Sequence, residues 1–393
     1  MKIAFIINFN PHKWLGGINV IKNLIYCLNS FSKNKIEVVL IVNKNLSKKE
    51  SLIFKGLTVI KTNIFYNQNF IEKNYHRLNT VLLGRSNHYE KFFSKEKINF
   101  VSHINVFSSN IFFGKKSVVK TLSFIPDLQH IYLKKNFSFA KRVARNINIF
   151  LCALFSTKIL LSSECSKKDI KKISSLAWKN SFVSKFVFKS PRKDDILNID
   201  LLKKKYKFNQ PYFYLPNQYW IHKNHFVILK ALKYINDKYH SKKILIISSG
   251  NSEDYRNPLY FGEIKNYILK NNLKSYYKYV GLIPFRDVMS LMYHSLAVIN
   301  PSKFEGRSST VEQAKSLGKK IILSNINIHK EQNPKYAKYF RAEDFKKLSS
   351  ILIKESNKVN NFNPNTHYNK AVKKNKKDLE NYYKNYVSLL KSL

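Results

Sequence analysis

The residues best suited to chemistry in this chain lie in one polar loop, SKFEGRSST, at residues 302–310. The loop follows a short apolar run and precedes a helical pattern. Ser308, Ser309 and Thr310 can cap that helix and donate to an anion, and the helix N-terminus adds unpaired N–H groups and a positive dipole end. Glu305 can accept hydrogen bonds from sugar hydroxyls. The loop therefore favours a ligand that carries both a phosphate and hydroxyl groups.

Two more polar residues, Glu312 and Gln313, follow in the first turn of the same helix. An acidic residue in this position also stabilises a helix through its dipole, so for Glu312 alone the structural and functional interpretations stay open. For the whole segment, residues 279–334, a purely structural interpretation is weaker. The loop holds more capping and acidic residues than a simple connection needs.

The elements that position the loop belong to a series of apolar runs alternating with amphipathic ones. Lys2–Phe9 is typical of a buried strand, Gly16 and Gly17 follow in a short loop, and Ile18–Leu28 has apolar residues at helical spacing. This order is the opening of a Rossmann-like unit. Further strands are predicted at Ile36–Val42, Leu57–Ile60, Phe100–Val106, Val118–Phe124 and Ile159–Ser163.

A second series of the same kind begins near residue 211. Its predicted strands are Tyr212–Leu215, Lys243–Ser248, Tyr277–Val280, Ala297–Asn300 and Lys320–Ser324. Its predicted helices are Asn224–Ile235, Gly262–Leu269, Arg286–Tyr293 and Thr310–Leu317. The alternation of strand and helix predicts α/β architecture, with parallel sheets covered by helices on both faces.

A polar, charged segment separates the two series. Lys189–Asn209 contains Pro191 and has the composition of an interdomain boundary. We therefore expect two domains, residues 1–205 and 206–393, with ligands bound in a cleft between them. The Lys-rich C-terminal helix, predicted from Asn369, is able to cross back to the first domain.

The chain is strongly basic, since 70 Lys and Arg oppose 24 Asp and Glu for a formal net charge of +46. Three interpretations fit this charge: a nucleic-acid partner, an anionic membrane surface, or a solvated surface in a Lys-, Asn- and Ile-rich chain. The sequence contains no helix-turn-helix, zinc or RNP-type motif, and its basic residues are dispersed. A nucleic-acid partner is therefore the least favoured of the three.

Cysteine usage and hydropathy indicate the compartment. Cys27, Cys152 and Cys165 form no C-x-x-C pair, which argues against a zinc finger or disulfide framework and favours reducing conditions. The best apolar run, Ile147–Leu161, is interrupted and too short to span a bilayer, and the N-terminal run Ile3–Ile7 is too short for a signal peptide. We expect a cytoplasmic protein that at most contacts the inner face of the membrane peripherally.

The segment from Pro301 to Ser324 resembles the carboxyl-terminal motif of retaining glycosyltransferases with the GT-B fold, family 4. More narrowly, it is similar to the bacterial surface-polysaccharide and lipopolysaccharide type. The family pattern is P-S-x-F-E-G, seven residues between two glutamates, then a helix, a glycine and a buried strand. By this resemblance Glu305 contacts the donor sugar, and the second glutamate contacts the nucleotide ribose. Gln313 stands at the second position, with Glu312 one residue earlier; a glutamine amide can still bond to ribose hydroxyls.

A second match opens the carboxyl domain, in YFYLPNQYWIHKNHFVILKAL. Family members carry an Arg and a Lys here that bind the donor diphosphate. Lys223 aligns with that Lys, whereas Asn217 and Gln218 stand in place of the Arg. A lysine can neutralise phosphate as a point charge without the bidentate geometry of arginine.

A third match lies in the first domain, in FIPDLQHIYLKKNFS. Most family members have His-Asp after this strand, whereas Pro126-Asp127 occupies the place here and His130 follows three residues later. Asp127 and His130 are candidates for contacting the donor sugar or the acceptor, and a buried structural role for either stays open. Gly16 and Gly17 match the family's glycine loop, which lets the backbone approach a diphosphate or an acceptor.

The resemblance implies transfer of a sugar from a nucleotide-sugar donor to a glycan or lipid-linked acceptor in bacterial surface-polysaccharide synthesis. Lys223, Arg307 and the helix dipole would replace a metal ion, because the sequence has no Asp-x-Asp motif; no cofactor is implied. Asn136–Phe155 has an apolar face that either docks on anionic lipid or packs on its own sheet. The alternatives are an inactive GT-B scaffold, motivated by Gln313 and the missing Arg, and a basic nucleic-acid-binding protein.

Overall fold

The computed structural model describes residues 1–8, 15–47, 51–66, 70–105, 113–239, 244–361 and 363–393. The chain forms two compact units. The first unit comprises residues 1–187 and 378–393, and the second comprises residues 188–377.

The sheet of the first unit has seven parallel strands among the described residues, in the order β3-β2-β1-β4-β5-β6-β7. The strands are β1 (Lys2–Ile6), β2 (Glu37–Asn43), β3 (Val59–Thr62), β4 (Phe100–Asn105), β5 (Lys120–Ile125), β6 (Lys158–Leu161) and β7 (Ser181–Val183). The helices are α1 (Leu15–Phe31), α2 (Phe70–Leu83), α3 (Asn87–Lys95), α4 (Gln129–Tyr132), α5 (Phe139–Phe155), α6 (Glu164–Lys171) and α7 (Ser175–Lys179).

The sheet of the second unit has six parallel strands among the described residues, in the order β10-β9-β8-β11-β12-β13. The strands are β8 (Tyr212–Leu215), β9 (Leu245–Ser248), β10 (Tyr277–Tyr279), β11 (Val298–Asn300), β12 (Ile321–Ser324) and β13 (Ala337–Phe340). The helices are α8 (Ile199–Tyr206), α9 (His225–Lys238), α10 (Tyr260–Lys270), α11 (Phe285–His294), α12 (Ser309–Ser316), α13 (Asn327–Gln332), α14 (Phe345–Ser356) and α15 (Tyr368–Lys391).

Strand β8 shows why helices cover both faces of the second sheet. All four of its residues are buried, and successive side chains point to opposite faces. Tyr212 and Tyr214 join an apolar cluster that includes residues of α11 and α12, whereas Phe213 and Leu215 join another that includes residues of α9 and α14. The sheet is therefore the middle of three layers, as expected for buried parallel strands.

In both sheets the chain starts near the centre, builds outward on one side and then returns to the other side. In the first, β4 pairs with β1; in the second, β11 pairs with β8. The strand order reverses at these two places, where open α/β sheets bind ligands beyond the carboxyl ends of their strands. The predicted fold class, two doubly wound Rossmann-like α/β domains, is confirmed.

Two edge strands, β7 and β13, are absent from the strands that the sequence predicted. Both are half-buried and carry polar residues, so neither has the continuous apolar run that marked the central strands. Strand β8 has the predicted bounds, and the other predicted strands recur with shifted ends. Phe9, Val106 and Lys243, which were predicted to lie in strands, fall outside the described residues.

The predicted glycine loop needs correction. Gly16 and Gly17 lie in the first turn of α1, which begins at Leu15. Residues of a first turn keep N–H groups that have no intrahelical acceptor, so the backbone at both glycines still offers donors. A Cβ built on Gly16 would meet no atom of the described residues within 4 Å.

The boundary between the units lies after Val187 rather than at residue 205. The segment that looked like a linker is attached to the second unit by specific contacts. The Ser190 hydroxyl donates to the Ser316 carbonyl at 2.6 Å, and Leu202 of α8 is fully buried in an apolar cluster of the second unit. The segment thus contains a short helix, α8, with one packed apolar face, which its polar composition did not predict.

Helix α15 contributes residues from 378 onward to the first unit. There Tyr386 is fully buried and donates to the Ser102 hydroxyl of β4 at 2.6 Å. Over the part of the chain that the structure describes, no helix is both long and apolar enough to cross a bilayer.

Candidate functional site

The reversal of strand order in the second unit brings two loops together. One follows β8 and contains Lys223; the other follows β11 and contains Glu305. The Lys223 Nζ atom lies 2.6 Å from the Glu305 Oε1 atom, and both side chains are largely buried. By resemblance, Lys223 was assigned to the donor phosphate and Glu305 to the donor sugar. In the structure these two residues form an ion pair at the carboxyl edge of the sheet.

Backbone and amide contacts hold these two loops in register. Lys223 ends a 3₁₀ turn, and Asn224 then adopts a left-handed conformation, which asparagine tolerates better than most residues. The Asn224 side-chain amide donates to the carbonyls of Pro301 (3.1 Å) and Ala342 (2.7 Å). The Lys303 backbone N–H donates to the His222 carbonyl at 2.8 Å. The position of Lys223 is thus set by hydrogen bonds between the loops as well as by its own charge.

Glu305 is a buried carboxylate that its surroundings keep ionised. Burial by itself raises the pKa of Glu305, but the Lys223 ammonium, aided by His222 and His329, outweighs it and lowers the pKa to about 2. The Ser302 hydroxyl lies 2.7 Å from Glu305 Oε1 and 2.6 Å from the Asn300 amide oxygen. A carboxylate held in this way is a fixed acceptor for ligand hydroxyls.

This ion pair predicts a specific dependence of stability on pH. The folded pKa of Glu305, about 2, lies below its ordinary value of 4.5, so the stabilisation is complete above that value and is lost as the pH falls from it towards 2. We expect the difference in unfolding free energy between the wild type and Glu305→Gln to shrink between about pH 6 and about pH 3 in denaturant titrations. An unchanged difference across this range would contradict the assignment.

A neutral histidine lies within electrostatic range of the pair. His329 of α13 is fully buried, and burial lowers its pKa to about 4, while Glu305 opposes and Lys223 reinforces the shift. Its Nδ1 lies 2.9 Å from the Ser324 carbonyl, which only accepts, so Nδ1 carries the proton and Nε2 is an acceptor. That Nε2 has no hydrogen-bond partner among the described residues.

The N-terminus of α12 is organised by polar side chains behind it. Ser308 is the N-cap, and its hydroxyl accepts from the Val311 N–H at 3.3 Å and from the Asn300 amide at 2.7 Å. The Gln332 side chain accepts from the Ser308 N–H (3.1 Å) and donates to the Ser308 carbonyl (2.9 Å). The first-turn N–H groups, which lack intrahelical acceptors, are thus held in a fixed direction.

Glu312 and Arg307 are bound to each other. The Arg307 guanidinium donates to Glu312 Oε1 at 2.7 Å, and the Gln332 amide donates to the same oxygen at 2.9 Å. Lys315 lies 3.1 Å from Glu312 Oε2. Glu312 is thus a buried centre that joins the loop, α12 and α13, and the Arg307 charge is directed towards it.

Residues 198–368 match the family model described as Glycosyl transferases group 1. This chain is therefore a glycosyltransferase with a group 1 domain. The matched residues contain Lys223, Glu305 and the whole polar network around α12. None of the curated protein sequences compared with the chain matches it.

Solved structures give the same fold over the full length. HepE from Anabaena, in complex with UDP and glucose, has a TM-score of 0.73 at 13% identity, with 100% of both chains covered. The lipopolysaccharide outer core galactosyltransferase WaaB gives 0.62 at 15% identity over 100% and 99% of the two chains. The sucrose-phosphate synthase of Thermosynechococcus elongatus gives 0.67 at 12% identity over 100% and 98%. The glycosyltransferase thus has the GT-B fold that its sequence motif implied.

The other residues that the sequence marked in the group 1 domain differ from one another in burial and in hydrogen-bond partners. Asn217, which stands where the family has Arg, is buried and bonds to Asn300 at 3.2 Å and to the Thr310 hydroxyl at 3.4 Å. It therefore ties β8 to α12 and supplies no charge. Ser309 is half-buried at the start of α12, and Gln313 is buried one turn later.

The first unit of the glycosyltransferase places Asp127 and His130 just beyond the carboxyl end of β5. Asp127 accepts from Arg145 at 3.3 Å and from the Gln129 side-chain amide at 2.9 Å. The buried His130 has its Nε2 2.9 Å from the Asn146 amide oxygen. Burial lowers the pKa of His130 even though Asn146 and Asp127 oppose the shift, so the ring is neutral near pH 7. Both residues are engaged with their own unit.

Sequence reasoning missed several polar residues that build this glycosyltransferase's site. Asn300 had a usable signal, since it is the one polar residue ending an apolar strand before Pro301. His329 and Gln332 had none beyond lying in the same polar segment. Among the described residues, no group of three or more His, Cys, Asp or Glu side chains is placed to hold a metal ion.

Proposed function

We propose that this protein is a retaining glycosyltransferase of family 4 that takes its sugar from a nucleotide-diphosphate donor bound in the second unit. The observation that carries the proposal is the buried Lys223–Glu305 pair at the reversal of strand order, beside the N-terminus of α12. A cation, a helix N-terminus and a fixed carboxylate are what a diphosphate attached to a sugar requires. The complex of HepE with UDP and glucose supports a nucleotide-sugar donor.

In this proposal Lys223 exchanges its partner when the donor binds. The ammonium faces the leaving phosphate, where negative charge grows as the bond to the anomeric carbon breaks. Glu305, released from part of its ion pair, accepts hydrogen bonds from hydroxyls of the donor sugar. One preorganised donor aimed at the developing charge lowers the barrier by about 3 kcal/mol. Ser309 and Thr310 in the first turn of α12, and Gln313 at the start of the next turn, would hold the nucleotide part.

We assign the acceptor to the first unit, with Asp127, His130 and the first turn of α1 at Gly16 and Gly17 as the contacting groups. All of these lie beyond carboxyl ends of parallel strands. The acceptor class is a glycan or a lipid-linked glycan of bacterial surface-polysaccharide synthesis. The likeness to a lipopolysaccharide galactosyltransferase supports this class.

Turnover of a panel of UDP-, GDP- and dTDP-sugars tests the proposal, read as nucleotide release with and without glycan acceptors. We expect one donor to be consumed and to raise the melting temperature, and Glu305→Gln to remove the consumption. Binding without consumption would point to an inactive GT-B scaffold. No effect of any donor, combined with a tight, salt-sensitive oligonucleotide complex, would favour a nucleic-acid-binding protein.

We expect the transfer to need no added metal ion. Lys223 and the N-terminal N–H groups of α12 supply positive charge at the position that the proposal gives to the diphosphate. Turnover measured in excess EDTA should equal turnover in buffer alone. Loss of turnover in EDTA, restored by Mn²⁺ or Mg²⁺, would reject this prediction.

Peripheral contact with an anionic membrane surface belongs to the same proposal. The sequence left open whether the apolar face of α5 docks on lipid or packs on its own sheet. That face is exposed to solvent: Phe139 is 74% exposed, Ile147 52% and Phe150 46%. Helix α2 exposes a second apolar row, with Ile71 78% and Leu82 71% exposed. Exposed apolar helices favour insertion into a lipid surface, and the net charge of +46 favours a surface that is anionic.

Liposome flotation tests the membrane contact. The wild type should float with vesicles containing anionic phospholipid and not with neutral ones. Phe139→Ser/Ile147→Ser should reduce flotation, whereas Leu269→Ser, which removes a residue 52% exposed in the second unit, should not. Equal flotation of both variants, or flotation independent of lipid charge, would contradict the prediction.

A further inference from the structure

A cavity of about 350 Å³ lies in the second unit, at the opposite edge of the sheet from the candidate donor site. Leu296 precedes β11, and Lys319 and Lys320 precede β12, so these lining residues stand at the amino ends of the strands. Lys223 and Glu305, by contrast, follow the carboxyl ends. The two places are separated by the length of the strands, so the cavity is not part of the donor site.

The lining is positively charged, and its one acidic group is already neutralised. The carboxylate of the buried Glu355 lies 3.1 Å from Lys320 Nζ, 2.5 Å from Lys338 Nζ and 3.3 Å from Lys358 Nζ. Burial alone raises the pKa of Glu355, but Lys338 and Lys320 outweigh it and lower the pKa to about 2. Three ammonium groups around one carboxylate leave positive charge in excess.

Lys319 adds a further amine to the lining. It is buried, and its Nζ donates to the carbonyls of Tyr293 (2.8 Å) and Ser295 (2.7 Å). Burial, together with the neighbouring Lys320, lowers the pKa of Lys319 to about 7. An anion in the cavity would favour the protonated, charged form of this lysine.

His367, another lining residue, packs closely against its neighbours and lies near further lysines. The His367 ring stacks on Tyr336 with centroids 4.0 Å apart. A Cβ on Gly318 would approach the His367 carbonyl to 2.7 Å, so the glycine permits this close packing. Burial lowers the pKa of His367, and Lys320, Lys335 and Lys370 lower it further. Positive potential therefore reaches the cavity from several elements.

We propose that this cavity is a second ligand site, which binds a small soluble phosphorylated molecule. Concave surfaces with charge of one sign concentrate counter-ions, and phosphate oxygens match ammonium donors in charge and hydrogen-bonding capacity. The volume is at the lower end of the range for small-molecule sites. The ligand class is a phosphate or diphosphate with at most a small organic group.

Pyrophosphate binding, measured by calorimetry at about 0.15 M salt, tests the proposal, with that salt level chosen to screen exposed charges. The variant Lys320→Gln/Lys358→Gln should bind at least about tenfold more weakly, since two charge-assisted hydrogen bonds are lost. The control Lys230→Gln/Lys270→Gln removes the same charge from exposed positions of α9 and α10 and should bind like the wild type. Melting temperatures of both variants establish that they are folded.

A second measurement detects pyrophosphate in the cavity directly and distinguishes it from pyrophosphate at the donor site. Imidazole NMR signals of His367, assigned through His367→Gln, should shift on addition of pyrophosphate in the wild type and equally in Lys223→Ala. Shifts that disappear in Lys223→Ala, or an unmoved His367 at saturating pyrophosphate, would overturn the proposal. So would equal affinities of the cavity variant and its control. The His367 signals report on the cavity whether or not the donor site binds pyrophosphate and the protein transfers a sugar.

Discussion

Lys223→Met is expected to lower the rate of sugar transfer and the free energy of unfolding together. Transfer should fall by about 10²–10³-fold, because the cation that stabilises the departing phosphate is removed. Stability should fall by about 3 kcal/mol, because Glu305 is left as a largely buried carboxylate without its partner. Donor turnover and denaturant titration measure the two effects.

The double variant Lys223→Met/Glu305→Gln separates the two roles of the pair. Neutralising both partners removes the uncompensated charge, so most of the lost stability should return. Transfer should not return, since neither the cation nor the carboxylate is present. A double variant that regains activity with its stability would contradict the site assignment.

A matched surface pair supplies the control for stability. Lys233 lies 2.5 Å from Asp237 on the exposed side of α9, in the same unit and with the same chemistry. Lys233→Met should change the free energy of unfolding by no more than about 0.5 kcal/mol, because exposed pairs are screened by solvent. Near-wild-type transfer in both Lys223→Met and Glu305→Ala would leave the ion pair with a structural role alone.

Glu312→Ala is expected to cost the second unit about 3 kcal/mol of stability. The change leaves the Arg307 guanidinium without its buried carboxylate and removes the acceptor for the Gln332 amide. The loop before α12 would lose its anchor, so the KM for the donor should rise as well. Denaturant titration and donor kinetics measure the two effects.

Glu263→Ala is the control for that prediction, since Glu263 is an exposed acid in the first turn of α10. Its loss should cost at most about 1 kcal/mol through the helix dipole. Equal destabilisation by the two substitutions would show that Glu312 acts only as a first-turn acid. Glu312→Gln should keep the fold better than Glu312→Ala, because an amide can still accept from Arg307.

The position of Arg307 illustrates what spacing along the chain cannot decide. The sequence placed it with Lys223 as a phosphate-binding cation, whereas its guanidinium is paired with Glu312. The same pairing gives Glu312 a structural role as the centre of a buried network. Both interpretations of Glu312 were open from the sequence, because a first-turn acid has the same spacing whether it binds a ligand or a neighbouring arginine.

The sequence by itself determined the fold class, the buried central strands and the two loops that carry Lys223 and Glu305. Each of these follows from local information: continuous apolar runs, helical spacing, and polar residues placed directly after a strand. The resemblance to a known motif added the pairing of a sugar-side acid with a phosphate-side lysine.

Tertiary structure decided the rest, because it depends on which strands become neighbours. Only the return of β11 to β8 brings Lys223 within 2.6 Å of Glu305, across more than eighty residues of chain. The same folding places Asn300 and Gln332 against the N-terminus of α12. It also places lysines around Glu355 at the edge of the sheet opposite the donor site. Such partners are ordinary polar residues with no local pattern, so their roles emerge only when distant segments pack.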